Sequence, residues 1–205
     1  GIFRGFENIG TDYGMIMASL GGDDAGGGVI WAPQVIEDAS DHGLVLGENG
    51  SLYDSKKGER LPDGVSPMPV LSEDQLKAYP EMTPMQVVGM GVRRYHDMVA
   101  LAQHAPCKVI GETGIIRDKP GFEVDFITRG SATDAMHEHD RPSVLMPMRG
   151  HWRVTWEGGT TTLAPGDTMS VPEHVAHSVL PSMTGEASLY HIVATDDPAG
   201  QTWQG

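Results

Sequence analysis

"MHEHD" at 136–140 and "APGDTMSVPEHVAH" at 164–177 are the two stretches from which the rest of this chain is read. His137 and His139 stand two residues apart. In an extended strand, residues i and i+2 share a face, so both imidazoles can address one ion while Glu138 between them faces the other way. In the second stretch Pro165, Gly166 and Asp167 make a turn, a short strand follows, and His177 comes after a second turn.

Working outward, "CKVIG", "GFEVDFITRG", "SVLMPMRG", "HWRVTW", "TTTL", "DTMSVP", "AHSVL" and "ASLYHIVA" are strand-like runs separated by Gly, Pro and Asp clusters. Eight short strands at this spacing predict an all-β sandwich or small barrel. The 27 Gly and 14 Pro of the 205 residues agree with many turns. The chain is long enough to bury a real core. Its 28 acidic against 14 basic residues give a net charge of -14, a field that repels nucleic acid and anionic membranes. A small-molecule substrate or another protein is left as the expected partner. No apolar run reaches the ~20 residues of a membrane span. The single Cys107 cannot form an internal disulfide, and cytoplasm is the expected compartment.

The paired His stretches resemble the two motifs of the cupin superfamily. Gly130, His137, His139 and Gly150 match the first motif, with one extra residue after Gly130. Gly166, Pro172 and His177 match the second, with His174 where Gly is usual and Pro181 where Asn is usual. The resemblance runs from Cys107 to Trp203 and implies a complete jelly-roll (double-stranded β-helix) barrel over 107–205. It implies a divalent metal on His137, His139 and His177. The position of the family's acidic ligand falls on Ser143, a poor ligand beside a carboxylate. Three neutral imidazoles leave the ion its full charge and leave positions open for water, substrate or dioxygen. Ser143, Met148, Trp152, His174 and His191 are the expected pocket residues. A lone strand histidine such as His191 is more often structural. Trp152, Val154 and Trp156 read as one inward set, which turns His151 and Arg153 outward. Phe126, Met146, Met148, Trp152 and Trp156 are the expected apolar lining.

The opening decapeptide "GIFRGFENIG" has the spacing of the second motif, with Arg4 in the His position and Asn8 where Asn belongs. Arg4 to Asp23 and His177 to Asp196 are both intervals of 19 residues, and each copy continues through a Gly-bearing turn to Trp31 or Trp203. The chain thus resembles a bicupin of the gentisate- and quercetin-dioxygenase kind. Residues 1–31 would be the C-terminal remnant of a first barrel, and strand structure is expected across 1–25. A guanidinium stays protonated and cannot bind metal, so this first barrel would be metal-free. Barrel strands without neighbours expose unpaired backbone groups, so a homo-oligomer or a companion N-terminal fragment is expected to cover them.

Residues 32–106 read as a connector. Pro33 and Gly43 bracket a short helix, "LVLGENGSLYDS" reads as a hairpin, and "SEDQ" (72–75) and "TPMQ" (83–86) are capping-box signatures.

Taken together, the resemblance implies a mononuclear non-haem dioxygenase with Fe(II), acting on a small aromatic or diketone-like substrate. Ni, Mn or Zn are the other candidate ions. A non-catalytic sensor or storage cupin, and a Lewis-acid isomerase or lyase, are the alternatives.

Overall fold

A computed structural model describes residues 5–19, 31–79, 81–115, 117 and 121–195. Arg4, the acidic pairs at 23–24 and 196–197, and Trp203 lie outside the described residues, as does most of the proposed repeat. Contacts divide the chain into two units, one reaching Met82 and the other running from Thr83 onward.

The first unit contains helix α1 (Pro33–Asp41), strands β1 (Leu44–Leu46) and β2 (Leu52–Asp54), and helix α2 (Glu73–Leu76). Pro33 starts α1 with its φ already helical, and Gly43 leaves it at φ 80. β1 and β2 pair antiparallel in the register Val45↔Tyr53. Ser72 caps α2 through a reciprocal box with Gln75.

Residues 5–19 contain neither strand nor helix, and all are exposed. The strand expected across 1–25 does not form over these residues. A strand is stable only when its backbone groups have a neighbour to pair with. Here only a local turn forms, in which Asn8 Nδ2 donates to the Asp12 carbonyl at 2.7 Å.

The second unit opens with α3 (Pro84–Gly91), capped by Thr83 and Gln86, and α4 (Tyr95–Leu101). Eight strands follow: β3 (Cys107–Ile110), β4 (Phe122–Thr128), β5 (Ser143–Arg149), β6 (Trp152–Trp156), β7 (Gly159–Leu163), β8 (Met169–Val171), β9 (His177–Pro181) and β10 (Ser188–Ala194). They form two antiparallel sheets, ordered β3-β4-β10-β5-β8 and β7-β6-β9. From β5 onward the chain passes back and forth between the sheets, which is the topology of a jelly roll. All eight strands coincide with runs expected from the sequence.

The interior packs Leu145, Trp152, Val154, Leu163, Val171, Val179, Ala187 and Leu189. A second cluster lies on the other face of the larger sheet, where Met98 and Ala102 of the α4 region meet Cys107 and Phe126. The sheet therefore packs apolar side chains on both sides, and strand alternation decides which side chains reach the site.

The motif glycines have separate reasons. Gly150 turns β5 into β6 at φ 67, where a Cβ would lie 2.7 Å from the Glu186 carbonyl oxygen. At Gly130 the Gln103 carbonyl oxygen occupies the space a Cβ would need. No helix among the described residues is long and apolar enough to cross a membrane.

Candidate metal centre

His137 and His139 lie on the extended segment between β4 and β5, and His177 is the first residue of β9. Two hydrogen bonds join the segments: His137 N–H donates to the His177 carbonyl at 2.9 Å, and His177 N–H to the His137 carbonyl at 2.8 Å. The His139 carbonyl accepts from the His174 N–H at 2.8 Å, so both ligand-bearing segments are held at two points. The backbone thus brings together residues 40 positions apart.

The three side chains converge. One ligating atom from each of His137, His139 and His177 lies within 4.8 Å of the others. Nitrogens on one ion at ~2.1 Å can be at most about 4.2 Å apart, so a small side-chain adjustment closes the site. Nδ1 of His177 faces the Val175 carbonyl at 2.8 Å, and Nδ1 of His137 faces the Ala135 carbonyl at 3.2 Å. With Nδ1 donating to those carbonyls, Nε2 of each ring is left as the lone-pair donor. His139 Nε2 and His177 Nε2 are buried without any hydrogen-bond partner. Orphaned buried acceptors of this kind are what a divalent ion would satisfy, so the residues fit a metal.

Burial pushes the pKa of His139 down, and the neighbouring His137 and His177 push it further. Burial likewise lowers that of His177, outweighing its bond to the Val175 carbonyl. Both rings are thereby kept neutral, the state in which imidazole ligates.

Ser143 is buried, and its Oγ has no partner. It shares a face of β5 with Leu145, an interior residue. His191, in the middle of β10, joins the cluster: its ring centroid is 4.9 Å from that of His139. Burial, then His139, lowers its pKa to about 3. Trp156 lies directly across from His177 in the β6–β9 pairing.

The remaining expected pocket residues lie elsewhere. Trp152 is fully buried in the core, with its indole N–H on the Arg149 carbonyl at 3.1 Å. His174 is exposed. Met148 is 37% exposed and sits on the β5 face opposite Ser143, so it does not line the pocket. Phe126 and Met146, expected in the apolar lining, face away from the interior. Both pair across from Tyr190, and Phe126 and Tyr190 belong to the outer cluster under α4, whereas Asp125 and Leu145 pair across from His191.

One feature escaped sequence reasoning. Lys108 Nζ donates to Glu123 Oε2 at 2.7 Å and to Asp125 Oδ2 at 2.9 Å. Burial alone would lower the Lys108 pKa, but these two bonds outweigh it and the net shift is upward. Lys108, Asp125 and His191 are consecutive cross-strand partners, hence on one face of β3, β4 and β10. Strand periodicity could have placed Lys108 and Asp125 there once their register was known.

No protein-family model matches the chain. No curated protein matches it either. Solved structures do. A cupin-2 domain containing protein from Shewanella frigidimarina is 20% identical, with 51% of this chain and 95% of that one covered at a TM-score of 0.40. A cupin-like protein from Thermotoga maritima is 16% identical over 43% of this chain and 65% of its own, at a TM-score of 0.37. A cupin superfamily protein from Desulfitobacterium hafniense is 16% identical over 40% of this chain and 73% of its own, at 0.35. These structural neighbours are cupin-domain proteins. The jelly-roll assignment itself rests on this chain's own strand order and on the histidine cluster that order creates.

Proposed function

We propose that the barrel is a mononuclear non-haem metal centre that uses Fe(II) to oxygenate a small aromatic or diketone-like substrate. The observation that carries this reading is the set of three convergent imidazoles without a protein carboxylate beside them. When bound there, the ion would supply Lewis acidity and the one-electron chemistry that dioxygen requires. His137, His139 and His177 would hold it. The Ala135 and Val175 carbonyls fix two of the rings, and the neutral imidazoles leave the ion its full charge for anionic oxygen ligands. Trp156, paired across from His177 and packed against the interior cluster, would supply an apolar wall against which a flat substrate could pack.

The reaction class requires both atoms of one dioxygen to enter one substrate molecule, with no external reductant. The test is anaerobic purification, elemental analysis, and oxygen uptake with catechol and with a β-diketone. About one iron per chain and one dioxygen consumed per substrate is the expected result. A full complement of metal with no uptake on either substrate class would replace this reading with that of a binding or storage protein. The pairing of both Glu123 and Asp125 with Lys108 favours that second reading to one extent: neither carboxylate is free to act as a base.

A further inference from the structure

Among the described residues, four buried side-chain atoms have no hydrogen-bond partner: Nε2 of His139, His177 and His191, and Oγ of Ser143. An ion on His137, His139 and His177 would satisfy the first two and leave the other two. His191 is 6% exposed and Ser143 2%, so water does not serve them in bulk, and each would carry the desolvation cost of an unmade bond.

His191 is not one of the three residues whose ligating atoms cluster within 4.8 Å. Its ring centroid lies 4.9 Å from His139 but 6.4 Å from His137 and 6.5 Å from His177. It stands beside the donor set rather than within it. His137 and His177 each have Nδ1 engaged by a backbone carbonyl, and the buried Nε2 of His191 has no hydrogen-bond partner. That Nε2 can give or accept a hydrogen bond, according to the tautomer. Facing it across the strands are Leu145 and Asp125, and beyond Asp125, Lys108. The lysine holds the Asp125 carboxylate, which consequently does not pair with the imidazole.

We infer that His191 is a positioning residue that hydrogen-bonds a hydroxyl of the substrate, adjacent to the oxygen that the substrate places on the ion, with Ser143 as its second partner. This rests on the metal-centre reading above. The ligand class follows from the geometry of need: two neighbouring oxygens, one for the ion and one for His191, as in an aromatic vicinal diol or an enediol. A monohydric phenol would leave His191 unsatisfied, and a site built to bond a hydroxyl discriminates strongly against a ligand that lacks it.

The test uses the whole protein loaded anaerobically with Co(II), titrated with catechol and with phenol, and followed by calorimetry and by cobalt ligand-field absorption. Wild type is expected to bind catechol about tenfold or more tighter than phenol. H191L should lose that preference while keeping its Co(II) affinity within about threefold, since a group outside the donor set is removed. H191Q keeps a donor and an acceptor and should fall between the two. Should only H191Q fold, wild-type catechol affinity in it overturns the inference. Unchanged catechol preference in H191L overturns it as well. A Co(II) affinity lowered more than about tenfold in H191L, with an altered cobalt spectrum before catechol is added, makes His191 a ligand of the ion and also overturns it. Wild-type protein that takes up no cobalt defeats the metal reading itself, and the inference with it.

Discussion

Imidazole binds a metal only when neutral, and three of the clustered histidines are held neutral by burial. Their folded pKa values lie below the ordinary 6.5, and that of His191 is about 3. Protons therefore favour the unfolded chain. The stability these groups contribute is fully present above pH 6.5 and drains away as pH falls toward 3, at ~1.4 kcal/mol per pH unit for each group in its window. Thermal melts of metal-free protein from pH 7.5 down to 4 should show Tm falling steadily below 6.5; a flat profile would refute the burial argument. His139→Ala and His177→Ala should each weaken metal binding by roughly a hundredfold or more and abolish the rise in Tm that the ion gives wild type. His174 makes a different kind of point. It stands at φ 59, left-handed backbone that an L-residue occupies at a cost of ~1–2 kcal/mol, at the position where the family resemblance expects Gly. His174→Gly should accordingly raise stability by about 0.5–1 kcal/mol in denaturant melts and leave metal affinity unchanged, because the exposed ring touches no ligand. The three convergent histidines were legible because their spacing encodes a shared face and a return strand. His191 was legible only as a possibility, since nothing local distinguishes a site histidine from a structural one on a lone strand.

At the scale of elements, α4 explains both what was readable and what was not. The strands, the β1–β2 hairpin and both capping boxes announce themselves through alternation and turn chemistry. α4 does not: its N-cap is Arg94, which makes no side-chain cap bond, and seven residues are too few for a clear apolar period. Without that helix, the sequence offers Phe126 and Met146 no apolar partner other than the barrel interior. The helix instead covers that face, with Tyr95 edge-on to Phe126 at 5.7 Å. Phe126→Ala should therefore cost ~3–5 kcal/mol in equilibrium unfolding. At temperatures where the variant is folded, its metal affinity should remain within a fewfold of wild type. A large loss of affinity would mean that Phe126 reaches the interior after all.

For the whole molecule, the distribution of exposed apolar groups stands out. Phe6, Ile9, Tyr13, Met15, Ile16 and Met17 are all exposed in residues 5–19, a stretch that makes no strand pairing. So dense an apolar run in water is a sign of a missing partner surface. We propose that a second copy of the chain covers it, and sedimentation with intact mass measurement should find a species larger than one 22.0 kDa chain. A strictly monomeric chain at micromolar concentration would count against the remnant-barrel proposal. The mutual hydrogen bonds between His137 and His177 have a bearing on time rather than affinity. An ion held by both imidazoles would tie the two segments together through their side chains, so parting these two hydrogen bonds would cost more when it is bound. Deuterium uptake at the amides of His137 and His177 then becomes a reporter of occupancy: the loaded protein should exchange them more slowly than metal-free protein, and chelator should restore the faster rate.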